Sequence, residues 1–369
     1  MEKRRPILTP TFFFFFFFLC VLSVFPEVYC GEGRIAEVSP STVMFVFGDS
    51  YADTGNTPNG SACWTEPYGI TFPGKPSGRF SDGRVLTDFI ATYLGIESPP
   101  PYRRRRRRWN VGGSKKVKDG VNFAYGGTGV FTTVLGGPNM STQLHEFQRL
   151  VEQNVYTKRD LSSSLAHVSV AGNDYTTYDL NDDPQKNITD YAESVVSEIV
   201  VNLKRLHELG VGRVSVINVP PFGCLPKNAT TSALCNDTIN SSSELHNRLL
   251  KSAVEKLNSD TRRGRSTFLI LDLYSAFMSA LRGKKSSSFD KGLGECCRGT
   301  TSGSSCGDVD RDSGTKKYVV CEDPKRSFFW DTVHPSQQGW LSVFSVLAPS
   351  LHTFLFPLPS PDGSSSAAI

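Results

Sequence analysis

The sequence alternates short β-type apolar runs with longer amphipathic segments, and this alternation constrains the fold more than any other feature. The predicted strands cover residues 43–47, 121–124, 167–171, 214–219 and 268–273, and the predicted helices cover residues 85–94, 143–152, 191–209, 245–257 and 336–347. Parallel strands need long crossover connections, which helices usually provide. The pattern therefore predicts one α/β domain, over about residues 40–355, with helices on both faces of a parallel sheet. The Pro- and Ser-rich residues 356–369 are expected to form a disordered tail.

The first 30 residues have the composition of a secretory signal peptide. Basic residues at positions 3–5 precede a mostly apolar run from Phe12 to Val24. That run is about 13 residues long, whereas a membrane-spanning helix needs roughly 20. We therefore expect cleavage, for which Cys30 is a plausible end, over retention as a membrane anchor. Because no later stretch is long and apolar enough to cross a bilayer, the sequence predicts a secreted, extracellular or cell-wall protein.

Six Asn-x-Ser/Thr sequons agree with export, because this acceptor motif is glycosylated in secreted proteins. The candidate glycosylation sites are Asn59, Asn139, Asn187, Asn228, Asn236 and Asn240. Together with the signal sequence, they predict a secreted glycoprotein.

Seven of the nine cysteines follow the predicted signal peptide, and an oxidising compartment would let them pair. Cys224 and Cys235 are close enough in sequence to close a loop. The four cysteines between residues 296 and 321 lie in a Gly- and Ser-rich excursion, at about residues 284–326, where disulfides would replace a missing apolar core. Zinc is the alternative, but the spacing is not that of paired CxxC motifs and no histidine lies among them. The odd count leaves one thiol over, or implies that the signal is cleaved before Cys30.

The net charge of +4 depends on one local feature, the run from Arg103 to Arg108. A nucleic-acid-binding protein would instead spread its basic residues over a face, so we expect no nucleic-acid partner. The run fits a solvated, self-repelling loop. Its functional alternatives are contact with a polyanion, such as an anionic wall polymer or lipid headgroups, and cleavage by a secretory protease.

Several strand ends carry residues suited to acyl transfer. Ser50 follows the first predicted strand and Asn173 the third, and ligands bind at such ends in open α/β sheets. A serine nucleophile needs an adjacent base, for which His334 is the candidate, and Asp331 would hold its imidazole in the right tautomer. The N–H groups of Ser50 and of a glycine, with the Asn173 amide, would stabilise an oxyanion. Each signal alone is weak, because turns and helix caps use the same residue types.

Five segments, in this order, resemble the sequence blocks of the plant GDSL esterase/lipase family of SGNH hydrolases. They are Val46–Ser50 with Asp53–Asn56, Asn122–Gly127, Gly172–Tyr175, Asn218–Pro226 and Phe329–Pro335. The resemblance covers about residues 42–350 and implies a flavodoxin-like three-layer α/β/α sandwich with a central parallel sheet. It implies Ser50 as nucleophile, His334 as base, Asp331 as its orienter, and oxyanion donors from Ser50, Gly126 and Asn173. Gly127 aligns as well as Gly126.

The resemblance also implies a carboxylic ester hydrolase that needs neither a metal nor an organic cofactor. Its substrates would be acyl esters of wall polysaccharides, of lipids or of small metabolites, and the sequence does not choose among them. The alternative is a secreted cell-wall-binding glycoprotein that kept the fold and lost turnover. A broken triad would be the signature of that alternative, and all three triad residues are present here.

Overall fold

A computed structural model of the chain describes residues 43–104, 116–181, 187–261, 266–282, 289–290 and 292–357. The predicted signal peptide, the Arg run beyond Arg104 and the tail beyond residue 357 lie outside these ranges.

The central sheet has five parallel strands. They are β1 (Met44–Gly48), β2 (Gly120–Asn122), β3 (Leu165–Ser169), β4 (Arg213–Ile217) and β5 (Phe268–Leu271). Their order is β2-β1-β3-β4-β5, which is the strand order of flavodoxin-like folds and confirms the predicted fold class. Strands β1 and β3 are buried along their whole length, because helices cover both faces of a parallel sheet.

Eight α-helices in the described ranges connect and cover these strands. They are α1 (Leu86–Tyr93), α2 (Met140–Glu152), α3 (Lys158–Ser162), α4 (Gly172–Leu180), α5 (Ile188–Glu208), α6 (Asp237–Asp260), α7 (Leu273–Arg282) and α8 (Gln337–Leu355). Helix α8 packs against α1 and α7, and α5 packs against α2 and α6. None of the described helices has both the length and the apolar composition to cross a membrane.

All five predicted strands and all five predicted helices are present, but three helices, α3, α4 and α7, were not predicted. Strand β5 is shorter than predicted because Asp272 ends it, its carboxylate accepting the N–H of Ser275 at 3.0 Å in the first turn of α7. Helix α8 runs beyond its predicted end, although Pro349 lies inside it. Its last turns bury Leu351 and Leu355, which offsets the hydrogen bond that proline removes.

The cysteine-rich excursion is held by disulfides around a small core of its own. The pairs are Cys296–Cys321 and Cys297–Cys306, and Cys224–Cys235 closes the loop that the sequence suggested. These bonds exclude zinc for the six cysteines, and the remaining described cysteine, Cys63, is a buried thiol. We call the following residues the stapled cluster: Tyr68, Cys296, Cys297, Cys306, Tyr318 and Trp330. An antiparallel pair, β6 (Cys297–Gly299) and β7 (Tyr318–Val320), runs through it.

Candidate active site

Ser50 lies in the turn that follows β1, at the carboxyl end of that strand. The turn passes very close to β3, because Gly48 has a φ of 137° and a Cβ there would lie 1.8 Å from the carbonyl oxygen of Ser169. The N–H of Asp49 donates to that same oxygen at 2.9 Å, which ties the turn to the neighbouring strand. Ser50 is therefore held, half-buried, at a strand end of the type that binds ligands.

His334 connects Ser50 to Asp331. Its Nε2 lies 2.8 Å from the Oγ of Ser50, and its Nδ1 lies 2.8 Å from Oδ2 of Asp331. The other carboxylate oxygen, Oδ1, accepts the backbone N–H groups of Val333 at 2.9 Å and His334 at 2.8 Å. The three residues that the sequence proposed for catalysis thus form one continuous chain of contacts.

The Asp331 carboxylate is ionised despite its burial. Burial alone would raise its pKa, but the nearby His334 charge and the hydrogen bonds from His334 and Val333 outweigh it and hold the pKa below its ordinary value. An ionised carboxylate is what the imidazole needs, since it stabilises the protonated ring that forms when a serine gives up its proton.

Two of the proposed oxyanion donors have an N–H hydrogen that makes no hydrogen bond within the described part of the chain. In the described part of the chain, the backbone N–H of Ser50 donates to no acceptor. The Asn173 amide, on the first turn of α4, donates to the carbonyl oxygen of Thr128 at 2.9 Å and has a second hydrogen beyond that one.

The proposed role of a glycine N–H as oxyanion donor fits Gly127 better than Gly126. The Gly126 N–H already donates to Asp53 Oδ2 at 3.1 Å and to Thr57 Oγ1 at 2.9 Å. The Gly127 N–H has no acceptor among the described residues. Since both glycines align with the family block, this hydrogen bonding favours Gly127.

Two further buried carboxyl groups adjoin proposed site residues in the sequence, Asp49 before Ser50 and Asp174 after Asn173. Burial raises the pKa of Asp49 to about 7, although the N–H of Tyr51 and the charge of His334 act in the opposite direction. Burial likewise raises the pKa of Asp174 to about 6, against the N–H groups of Phe131 and other residues that bond to it. The serine therefore sits beside a carboxyl group that changes charge near neutral pH.

Aromatic side chains enclose the imidazole. The ring of Phe80 stacks on His334 with centroids 5.0 Å apart, and the ring of Tyr51 meets it edge-on at 5.9 Å. The Tyr51 hydroxyl donates to the carbonyl oxygen of Val333 at 2.8 Å, which fixes the loop that carries the histidine. Tyr68 donates its hydroxyl to Oδ2 of Asp331 at 2.8 Å. No local sequence pattern marks these three aromatic residues, because their partners lie far away in the chain. Tyr68, for example, is 263 positions from Asp331.

The candidate glycosylation sites differ in accessibility. Asn59 and Asn187 are exposed, whereas Asn139, Asn228 and Asn236 are half-buried. The Asn240 side chain is buried, and its Oδ1 accepts the N–H of Gly223 at 2.8 Å. Glycosylation at Asn240 would require that bond to break.

The start of the Arg run is fastened to the turn after Ser50. The N–H of Arg103 donates to Asn56 Oδ1 at 2.9 Å, and its guanidinium donates to the carbonyl oxygen of Thr57 at 3.0 Å. Residues 105–108 lie outside the described ranges. Among the residues that the structure describes, no group of three or more His, Cys, Asp or Glu is arranged to hold a metal ion.

Comparison with known proteins shows which proteins this chain is similar to. Residues 44–345 match the family model described as GDSL-like lipase/acylhydrolase. The chain is 46% identical over 357 residues to the Arabidopsis thaliana protein named GDSL esterase/lipase At5g03610, covering 93% of this chain and 97% of that protein. It is 31% identical to acetylajmalan esterase 2 of Rauvolfia serpentina, covering 90% of this chain and 95% of the relative. Among solved structures, it matches Axe2, an acetylxylan esterase from Geobacillus stearothermophilus, at 13% identity and a TM-score of 0.41, covering 86% of this chain and 95% of that one.

Proposed function

Because the chain belongs to the GDSL-like lipase/acylhydrolase family and is a carboxylic ester hydrolase, we propose that it cleaves acyl esters by a Ser-His-Asp mechanism. In this proposal Ser50 is the nucleophile, His334 the general base and Asp331 its orienter. The observation that carries it is the chain of contacts from Ser50 Oγ to His334 Nε2 and from His334 Nδ1 to Asp331, at 2.8 Å each.

In the first half of the reaction, Ser50 Oγ attacks the ester carbonyl carbon while His334 Nε2 takes the serine proton. The imidazolium then gives this proton to the leaving alcohol, and an acyl-enzyme remains on Ser50. Asp331 accepts a hydrogen bond from the Nδ1–H throughout, and its lowered pKa supports its role as the fixed negative charge. In the second half, His334 Nε2 takes a proton from the water that attacks the acyl-enzyme. It then returns this proton to Ser50 Oγ, and the carboxylic acid is released.

The carbonyl oxygen becomes negatively charged in both halves and needs donors that are already in position. We assign these donors to the Ser50 N–H, the second hydrogen of the Asn173 amide, and a glycine N–H. Gly127 is favoured over Gly126 for the last role, because the Gly126 N–H is already bonded to Asp53 and Thr57.

The substrate class is proposed more broadly than the chemistry. Acyl esters of lipids, of wall polysaccharides and of small metabolites all fit a serine esterase. One relative bears the name acetylajmalan esterase 2, which supports testing acetyl esters of small molecules early.

We further propose that the protein is secreted, after removal of residues 1–30, to the extracellular space or the cell wall. Three disulfides in the described chain support this, because such bonds persist in oxidising compartments. Residues 40–355 would then form a single hydrolase domain, with the excursion at about residues 284–326 as part of it and residues 356–369 as a tail. The exposed sequons at Asn59 and Asn187 are the best-placed glycosylation sites.

The Arg run is proposed to contact a polyanion. Its first residue, Arg103, is already bonded to Thr57, so the variant that tests this contact replaces residues 105–108 with serine and keeps Arg103. We expect elution from a polyanion column at lower salt than the parent chain. Equal elution would remove the polyanion as a partner.

The experiment that tests the mechanism measures hydrolysis of p-nitrophenyl esters of increasing acyl length by the secreted protein. Ser50→Ala is the diagnostic variant, and Ser259→Ala, an exposed serine near the end of α6, is its matched control. We expect Ser259→Ala to keep the parent rate and Ser50→Ala to lose at least about 1,000-fold in kcat. Residual activity within about 10-fold of the parent would refute Ser50 as nucleophile.

The same preparation separates the alternative, a binding glycoprotein without turnover. A folded parent that neither hydrolyses any ester of the series nor reacts with a fluorophosphonate probe at Ser50 would support that alternative. Labelling of Ser50 without turnover of the test esters would instead indicate a narrow natural substrate.

A further inference from the structure

The carboxylate of Asp331 receives hydrogen bonds from two directions. Within its own loop, Val333 and His334 donate to it. From outside that loop, the hydroxyl of Tyr68 donates to Oδ2 at 2.8 Å. Among the described residues, Tyr68 is the one side chain beyond residues 331–334 that bonds to this carboxylate.

Tyr68 is rigidly held at this place. Tyr68 is buried, with 4% of its surface exposed, and its ring packs edge-on against Trp330 with centroids 5.9 Å apart. Its N–H donates to the carbonyl oxygen of Thr65 at 3.1 Å. The backbone of Gly307 passes close behind it, since a Cβ there would lie 2.8 Å from Thr65 Oγ1 and 3.7 Å from the Tyr68 ring. Tyr68 thus has little freedom to turn its hydroxyl away from Asp331.

The disulfide-bonded excursion holds the other side of the same arrangement. The N–H groups of Cys296 and Cys297 donate to the carbonyl oxygens of Phe329 at 3.0 Å and Trp330 at 2.7 Å. The N–H of Trp330 then donates to the carbonyl oxygen of His334 at 2.7 Å. The other residues of the stapled cluster therefore contact both Tyr68 and the backbone that leads into the triad loop.

We propose that Tyr68 is a positioning residue for the triad and that the other residues of the stapled cluster serve to hold it against Asp331. This inference rests on the proposed Ser-His-Asp mechanism. Tyr68 contacts neither Ser50 nor the reacting atoms, so it acts through Asp331 and His334. Its hydroxyl limits rotation of the carboxylate and takes up part of its negative charge, which sets how strongly Asp331 favours the protonated imidazole.

The hydroxyl is suited to this role because it remains a donor at every pH at which the enzyme would work. Burial, and then the adjacent Asp331 charge, raise the pKa of Tyr68 far above its ordinary value. The phenol therefore does not titrate alongside the triad.

The test compares Tyr68→Phe with Tyr318→Phe. Tyr318 is the other buried tyrosine of the stapled cluster, and its hydroxyl makes no hydrogen bond to the triad loop among the described residues. Rates are divided by the number of active sites that a fluorophosphonate probe titrates, so that only folded enzyme counts.

For Tyr68→Phe we expect kcat to fall about 10-fold while KM changes less than about 2-fold. The acidic limb of the kcat/KM profile should move to higher pH by about half a unit, because the carboxylate regains charge and favours the protonated imidazole. In an Asp331→Asn background the same change should cost less than about 2-fold. Tyr318→Phe should match the parent in all three measurements.

Several results would overturn the proposal. One is a Tyr68→Phe profile that superimposes on that of Tyr318→Phe. Another is a Tyr68→Phe chain that yields no folded protein while Tyr318→Phe folds, since that would indicate a purely structural tyrosine. Ser50→Ala is assayed alongside: if it stays active, the triad itself fails, and if it is inactive while Tyr68→Phe behaves as the control, only the positioning role fails.

Discussion

The N–H of Gly126 donates to the buried carboxylate of Asp53 at 3.1 Å, so the first glycine of the pair at residues 126–127 braces the turn after Ser50. Asp53 also accepts the N–H groups of Gly55 and Asn56, both at 2.7 Å, within that turn. A donor that is already committed to a carboxylate is poorly placed to bind a developing oxyanion. Gly127, which has a φ of 87°, is the neighbour with a free N–H in the described chain.

We therefore expect a phosphonate adduct of Ser50 to place its phosphoryl oxygen about 2.7–3.1 Å from the N–H nitrogens of Ser50 and Gly127. A crystal structure of the fluorophosphonate-inhibited protein measures these distances directly. The unliganded crystal is the control for any movement of the pair. An adduct oxygen bonded to the Gly126 nitrogen, with its bond to Asp53 broken, would contradict the assignment.

Removing the Asn173 amide should slow the chemical step. We expect Asn173→Ala to lower kcat by about 100- to 1,000-fold with a smaller change in KM, because in the proposed mechanism the amide stabilises charge that exists only in the transition state. Asn247→Ala is the control, since its amide also bridges backbone groups, at Val219, but away from Ser50. Equal losses in the two variants would indicate that Asn173 is structural.

The raised pKa of Asp49, about 7, predicts a pH-dependent stability. An unfolded aspartate loses its proton near pH 4, so between about pH 4 and 7 the folded state holds a proton that the unfolded state has lost. The contribution of Asp49 to stability therefore falls as pH rises through that window, by at most about 1.4 kcal/mol per pH unit.

Asp49→Asn isolates this effect, because the amide oxygen can still accept the N–H of Tyr51 that Asp49 accepts at 3.0 Å. We expect the free energy of unfolding of the variant, relative to the parent, to rise steadily from about pH 5 to about pH 7. Denaturant unfolding at several pH values measures the difference, and titrating groups that do not interact with Asp49 cancel because both chains contain them. A constant difference across this range would show that Asp49 is ionised in the folded protein at pH 5.

Removing the disulfide between Cys297 and Cys306 should destabilise the chain. The bond spans 9 positions, for which loop-closure entropy predicts a loss of about 2–3 kcal/mol. Replacing both cysteines with serine avoids a new free thiol, and guanidinium unfolding gives the free energy. The pair Cys224 and Cys235, 11 positions apart, should cost a similar amount and serves as the comparison. No change in the midpoint would mean that the Cys297–Cys306 bond adds no net stability, and that the Cys296–Cys321 bond and the hydrogen bonds suffice to hold the excursion.

Much of the fold follows from local patterns. Strands β1 and β4 and helix α5 have apolar residues at the spacing of their own secondary structure, and they form where the sequence predicts. Helix α7 was not predicted, because a single residue separates it from β5. Its first apolar residues therefore look like a continuation of the strand. Only the Asp272 cap separates the two elements.

Some features of the candidate site can likewise be predicted from local sequence, and others cannot. Asp331 and His334 are three residues apart, so their pairing is a property of one short loop and is visible in the sequence. The Ser50 turn is marked by its motif. The accessibility of Asn240 is different, because it depends on Gly223, which packs against it from another segment.

The α/β class, the order of the elements and the residue types available for catalysis are therefore predictable from the sequence, since these depend on periodicity and short-range chemistry. Three features follow only from the tertiary structure: which glycine N–H is free in the described chain, which tyrosine donates to Asp331, and which cysteines pair within the excursion. Each of these depends on the approach of segments distant in the chain, such as the 263 positions between Tyr68 and Asp331. Folding brings such groups within hydrogen-bond distance through the packing of the whole core, which no local pattern records.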